Sequence, residues 1–259
     1  MEVHHHPQLE HKPKPWVEYI LEYLMIVLAV ITGFFAESLR EQISDKSKEK
    51  EYLASMFNEL KYDTSQYHAQ LNKITQLNPV FDSCFINVKE APRYHYTLLA
   101  RWNTPVNELG PGYKPTLPTI GQLKSSGNLR LLHDKDIVRK ILEYESFIYG
   151  DYMGHYQDCK EASKQVYAIE DEVCDYGDFL AKLDSNMRNV AGMVSVESSA
   201  LYDMPILIKD PQKLNLLANS FVNFKANNFG YTTALNRAMR TATELLELID
   251  KKYEFGSVD

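Results

Sequence analysis

The feature that most constrains this chain is an apolar run near its start, "EYLMIVLAVITGFFAESLRE", residues 22–41. Fourteen uncharged residues, Tyr23 to Ala36, are bracketed by Glu22 and Glu37. As a helix they rise only about 21 Å, short of the roughly 30 Å hydrocarbon core of a bilayer. That length also suits a buried core helix or the apolar region of a signal peptide. Extended back to Trp16, the run has twenty-one residues and rises about 31 Å, enough to span. Trp16, Tyr19 and Tyr23 then form an aromatic belt of the kind found at membrane interfaces. Pro13 and Pro15 stop a helix on the N-terminal side. A cleavage site needs two small residues flanking the position before the cut, and "GFFAES" puts Phe34 at one of them. The expectation is an uncleaved transmembrane helix over residues 16–37, with a core helix and a cleaved signal as competing readings.

The longer span takes in Glu18 and Glu22. A carboxylate near the bilayer is costly, so it reaches for water, pairs or protonates. Interfacial placement is the simpler reading of both acids. The sharper one has Glu22 facing another helix in an oligomer and taking part in an ion or proton path. Glu37 marks the exit from the run. Thr32 and Gly33 permit close helix contact. Lys12 and Lys14 precede the run, and Arg40, Lys46, Lys48 and Lys50 follow it. Counted by the positive-inside rule, they lean toward a cytoplasmic C-terminal domain. A short tail before a long translocated domain is equally the ordinary signal-anchor arrangement.

With 259 residues the chain affords a core of its own. A net charge of -7, spread along the sequence, argues against a nucleic-acid partner. Cys84, Cys159 and Cys174 are odd in number and widely spaced, so neither a disulfide framework nor a zinc site follows. An unpaired thiol leans mildly toward a reducing compartment.

Beyond the run the helical pattern continues. No Pro or Gly occurs from Leu39 to Leu77, and Leu53, Phe57, Leu60, Tyr67, Leu71 and Ile74 recur at three-four spacing. Asn78-Pro79 is expected to end this helix. Residues 80–133 are more broken. "FDSCFINVKE" and "YHYTLLARWN" read as short helices, and "TPVNELGPGYKPTLP" as a loop. Thr119 is expected to cap a short helix ending at Gly127. Asp134 then caps a long one, with Asp136 in its first turn. Its seam runs Ile137, Ile141, Tyr144, Ile148, Tyr152, His155, Cys159, Ala162, Val166, Ile169, Val173, Tyr176, Leu180 and Leu183, with Gly150 and Gly154 as kink positions. After a connector, Asp210-Pro211 opens a last helix. Its seam is Leu214, Leu217, Phe221, Phe224, Asn228, Tyr231, Leu235, Ala238, Ala242, Leu245 and Ile249, and it ends before Gly256. The fold class is therefore all-α: an N-terminal transmembrane helix running into an antiparallel bundle of long helices. Residues 1–15 form a flexible His/Pro tail, 16–37 the span and 38–259 the bundle.

Candidate chemistry is sparse. His4, His5, His6 and His11 are metal-binding residue types, but no carboxylate framework accompanies them and an unstructured tail explains them. His155 on the apolar seam reads as a core or register-setting histidine. His155 and Cys159 lie one turn apart, yet a Cys-His dyad needs an orienting group that the sequence does not display. The glycines of "LGPGYKP" and "SSGN" lack the strand-loop-helix setting of a phosphate cradle. No metal, cofactor or enzymatic activity is expected.

Two segments resemble a known family. "EYLMIVLAVITGFFAESLREQISDKSKEKEYLASMFNELKYDT" is similar to the start of an uncharacterised family of bacterial single-pass membrane proteins. Glu22 matches the acid that opens its apolar run, and Lys50, Glu51, Tyr52, Leu53, Leu60 and Asp63 match its following helix. "LKSSGNLRLLHDKDIVRKILEYE" resembles its second signature. Together the segments cover about a quarter of the chain. The tail "HHHPQLEHKPKP" is less basic than the family pattern, and Glu37 stands where an amide is expected. The resemblance implies a cytoplasmic N-terminus and a helical domain on the periplasmic side of the bacterial inner membrane. It implies no activity.

The expected role is binding, sensing or scaffolding by a membrane-anchored bundle, with the lipid bilayer and an unidentified protein as partners. The alternative is a homo-oligomeric membrane assembly with Glu22 in an ion or proton path. A membrane-tethered enzyme using His155 and Cys159 comes last.

Overall fold

The computed structural model describes residues 15–90, 97–99, 110–174, 203–205 and 210–257. Its elements are α1 (Trp16–Glu90), β1 (Thr97–Leu99), α2 (Pro118–Ser125), α3 (Lys135–Phe147), α4 (Met153–Val173), β2 (Asp203–Pro205) and α5 (Pro211–Tyr253). A 3-10 turn, Asn128–Leu131, precedes α3, and a π-helical turn, Ile148–Tyr152, joins α3 to α4. The helical fold class holds. The chain divides into two compact units, Met1–Glu51 and Tyr52–Asp259.

In the second unit α1 buries Leu53, Met56, Leu60, Asp63, Tyr67, Gln70, Ile74, Phe81 and Val88. The spacing alternates three and four through Ile74 and then advances by sevens, the pattern of a helix whose seam stays against its neighbours. The expected seam is corrected here. Phe57 and Leu71 are only half-buried, and the polar Asp63 and Gln70 take seam positions instead.

The expected stop at Asn78-Pro79 is also overturned, because α1 continues through Pro79 to Glu90. Pro79 removes one backbone donor, a local penalty, while the segment beyond it gains burial. Phe81 packs edge-on against Phe221 at 5.4 Å and lies 5.5 Å from Phe224. Asp82 pairs with Lys225. Tertiary packing thus outweighs the breaker. "FDSCFINVKE" belongs to this helix rather than forming one of its own.

The antiparallel arrangement of α5 against α3 and α4 is recorded in a ladder of contacts. Asp134 pairs with Lys252, Lys140 with Glu244 at 2.8 Å, Asp151 with Arg237 at 3.1 Å and Glu172 with Lys213 at 3.0 Å. As one partner's number rises, the other's falls. Within the second unit α1 is antiparallel to α5 and parallel to α3. Phe57 meets Phe255, whereas Asp63 meets Tyr144 and Tyr67 meets Tyr152.

The seam of α5 is as expected, from Leu214 to Ile249. Asp210 caps it by accepting the Gln212 amide at 2.9 Å, and Glu254 closes it in the left-handed conformation at φ 54°. Asp134 caps α3 as expected, accepting the amides of Asp136 and Ile137. The seam of α3 and α4 needs correction at His155, which is exposed. The π-helical turn inserts a residue, so the seam steps 144, 148, 152, 156 before reaching Cys159. Tyr156 therefore meets Tyr231, ring centroids 6.2 Å apart, where His155 was expected. Glu170 is buried and Ile169 only half-buried, a further shift of the expected pattern. Tyr176, Leu180 and Leu183 lie outside the described residues.

Two connector expectations change. Thr97–Leu99, inside "YHYTLLARWN", is extended and pairs antiparallel with Asp203–Pro205, Leu98 opposite Met204. So short an apolar run does not distinguish helix from strand by periodicity, and the partner segment decides. Thr119 does not cap α2; it lies inside the first turn, and Leu117 at the cap position offers no side-chain acceptor. Glu59 on α1 supplies it, taking the Thr119 hydroxyl at 2.5 Å and its amide at 3.4 Å. Gly127 follows α2 at φ 70°, the left-handed position expected of it.

Candidate functional site

In the first unit, α1 carries apolar side chains that none of the described residues covers. None of its apolar stretch is buried inside the structure, and the helix is long and apolar enough to cross a membrane. Met25, Ile26, Phe34 and Phe35 are each about two-thirds exposed or more. A helix that is apolar around its whole circumference has no face to turn to water. Thr32, the one aliphatic hydroxyl within the run, donates to the Leu28 carbonyl at 2.7 Å and so needs no outside partner. At the polar end Arg40 pairs with Glu37 at 2.6 Å.

Trp16, Tyr19 and Tyr23 are exposed at three-four spacing, which places them on one face near the N-terminal end. Glu18 and Glu22 are exposed one turn apart on a neighbouring stripe. The tail histidines His4, His5, His6 and His11 lie outside the described residues. Among the described residues no group of three His, Cys, Asp or Glu is placed to hold a metal ion.

The second unit holds a buried polar cluster centred on Asp63. Asp63 is 3% exposed. It accepts the Tyr144 hydroxyl at 3.0 Å and the Tyr113 hydroxyl in a short hydrogen bond. Tyr144 also shares a 2.9 Å hydrogen bond with Tyr67, and Tyr152 donates to the Tyr113 carbonyl at 2.7 Å. The rings of Tyr67 and Tyr113 meet edge-on at 5.5 Å, and Tyr152 packs against both Tyr67 and Tyr231. This knot draws on α1, α3, the π-helical turn, α5 and the segment that carries Tyr113.

Burial raises the Asp63 carboxyl above the ordinary aspartate range; the phenols of Tyr113 and Tyr144 oppose the shift and Glu59 adds to it. Burial likewise pushes the phenols of Tyr67, Tyr113, Tyr144 and Tyr152 above their ordinary range, and Tyr231 up to about 12. The phenols therefore stay protonated at any ordinary pH. The available signal was the seam itself. Positions 63 and 70 carry polar residues inside a three-four pattern of apolar ones. Gln70 uses its place to donate to the Gly110 carbonyl at 3.1 Å.

The pair His155 and Cys159 is split by its surroundings. Cys159 is fully buried beside Asn228, and burial raises its thiol to about 12, which keeps it protonated. A thiolate is the reactive form, so this environment works against a nucleophile. His155 lies exposed over Gly230.

Two surface grooves complete the second unit. One, of about 1140 Å³, runs along α3 and α5 past Leu132, Val138, Leu142 and Phe147, with Arg237 stacked 4.3 Å above the Phe147 ring. The other, of about 430 Å³, lies between α1 and α5 and is walled by Phe85, Val222 and Phe229. Comparison with protein-family models, with curated proteins and with solved structures finds no match to this chain.

Proposed function

We propose that the chain is a single-pass protein of a bacterial inner membrane whose helical bundle binds a partner, senses a signal or acts as a scaffold. The observation that carries this reading is the bare apolar stretch of α1, which none of the described residues buries. Some 20 apolar residues exposed to water would cost far more than ordinary surface hydrophobics do. A bilayer removes that cost, and Trp16, Tyr19 and Tyr23 stand where an interface would hold them. The two surface grooves support a binding role. The resemblance to the single-pass family favours a periplasmic bundle. Carbonate washing of membranes that contain the full-length protein is the test. Retention in the pellet is expected, and release into the supernatant overturns the anchor. Alkaline phosphatase and green fluorescent fusions at the C-terminus then assign the compartment.

A second reading has its own observation. Glu22 shares one helical stripe with Ala29, Gly33 and Ala36, which follow it by seven, eleven and fourteen residues. Small residues let helices approach closely in lipid, and a partner helix there would also meet Glu22. This supports a homo-oligomer with Glu22 at its interface, in an ion or proton path. Light scattering of the detergent-solubilised protein decides: a monomer removes this reading, and Glu22→Gln altering ion flux supports it.

A further inference from the structure

The carboxylate of Asp63 is met by Tyr144 of α3 on one oxygen and by Tyr113, from a short stretch of chain, on the other. Residues 110–117 run without regular structure across α1 and the π-helical turn. Three hydrogen bonds seat this strap. Gln70 donates to the Gly110 carbonyl, Tyr113 donates to Asp63, and Tyr152 donates to the Tyr113 carbonyl. A side chain at Gly112 would collide with the Gln70 amide, so the strap sits close against α1. Pro111 and Pro115 restrict its backbone, which favours movement as a unit.

The groups that face Asp63 are few. Along α1 they are Glu59 one turn before and Tyr67 one turn after. Tyr113 comes from the strap and Tyr144 from α3. Tyr152 of the π-helical turn and Tyr231 of α5 stand behind Tyr67 and Tyr113. Among the described residues no Lys, Arg or His compensates the carboxylate. A phenol can donate or accept. A protonated Asp63 can therefore keep both partners, giving its own proton to one and accepting from the other. An ionised Asp63 keeps the same hydrogen bonds but is held out of water without a counter-charge, which is costly.

We propose that the 110–117 strap is a proton-responsive latch: a proton on Asp63 favours the strap seated over the phenol cluster, and loss of that proton favours the strap lifted. The reason is linkage. Seating the strap desolvates the carboxylate, so the seated state holds the proton more tightly than the lifted state does. Proton binding must then favour seating by the same factor. The raised proton affinity of Asp63 in the seated structure, with burial as its largest cause, has the sign this requires. The latch belongs to the bundle and does not depend on the membrane anchor. It would couple local pH to exposure of Tyr67, Tyr144 and Tyr152.

The test is hydrogen exchange of the Tyr113 amide, the strap amide that faces the Tyr231 phenol, in the full-length protein in detergent, from pH 5 to 8, each rate divided by its intrinsic value. Wild-type protection falls as pH rises. The ratio of lifted to seated strap grows by up to about tenfold for each unit by which seating raises the Asp63 pKa. In Asp63→Asn, neutral throughout, protection stays level. Equal pH dependence in the two proteins overturns the latch, as does wild-type protection that rises with pH. A second measurement needs no change at Asp63: carbon-13 titration of its carboxyl in wild type and in Tyr113→Ala. Loss of the Tyr113 donor raises the midpoint and loss of the strap's cover lowers it; burial is the larger cause, so the midpoint moves down toward an ordinary aspartate, and a midpoint that is unmoved or raised overturns the proposal.

Discussion

Tyr144 on α3 donates its hydroxyl proton to Asp63 on α1 at 3.0 Å, across 81 positions of sequence, and shares a second hydrogen bond, 2.9 Å long, with Tyr67. One phenol thereby ties α3 to two successive seam positions of α1. Replacing it by Phe keeps the ring and removes both bonds. Tyr144→Phe should destabilise the protein by about 1–3 kcal/mol, because a buried acceptor loses a donor. Urea unfolding of the solubilised protein measures it. The loss of a donor to the carboxylate should also raise the Asp63 titration midpoint further.

Asp63 sets a pH dependence whose sign follows from burial. Its folded-state pKa is raised, so its favourable contribution is complete below the unfolded value, near 3.9, and is lost as pH rises through the folded value. Asp63→Asn lacks that loss. The variant should melt higher than wild type at pH 8, and the gap should close as the pH is lowered toward 4. Thermal unfolding of both proteins across that window checks the sign; a gap that widens on acidification contradicts it.

Glu59 caps α2 from another helix through Thr119, which is 4% exposed. Thr119→Val retains the shape but leaves the carboxylate without the hydroxyl. A loss of about 1–2 kcal/mol is expected, in line with removal of a helix cap. Hydrogen exchange should locate the loosening in Pro118–Ser125, with little change in α5.

Pro79 sits inside α1 at an exposed position. Pro79→Ala restores a backbone donor and relieves the ring clash with the preceding turn. Stability should rise by about 1–3 kcal/mol, read from the urea midpoint. A drop would mean that Pro79 is needed to seat Phe81.

Ile26 lies at the middle of the span from Trp16 to Ala36 and is 63% exposed. Ile26→Arg puts a charge where the proposed bilayer centre would be, at a cost of about 2.5–3.5 kcal/mol on insertion scales. The share of protein retained after carbonate washing should fall, while the bundle, outside this segment, keeps its far-ultraviolet helical signal. Unchanged retention would count against a membrane span.

Much of the fold was legible because long helices write their packing into period. All of α5's seam, both of the caps at Asp134 and Asp210, and the left-handed Gly127 follow from local patterns whose physics involves neighbours a few residues away. The misses share a different cause. Pro79 looked like a terminator because its own backbone penalty is local, whereas the compensation from Phe221 and Phe224 comes from more than a hundred positions along. His155 looked like a seam residue because the inserted residue of the π-helical turn leaves no trace in composition. Polarity alone argues for Asp63 and Gln70 at the surface, and only their partners on the 110–117 strap and α3 make burial tolerable.

The sequence by itself determined that α1 begins with a stretch too apolar for water and that long helices follow, since hydropathy and periodicity are summed over neighbouring residues. Tertiary structure decided where polar groups are admitted to the core. A buried carboxylate is acceptable only when donors from distant segments converge on it, and the convergence of Tyr113 and Tyr144 on Asp63 exists only once α1, the strap and α3 have come together.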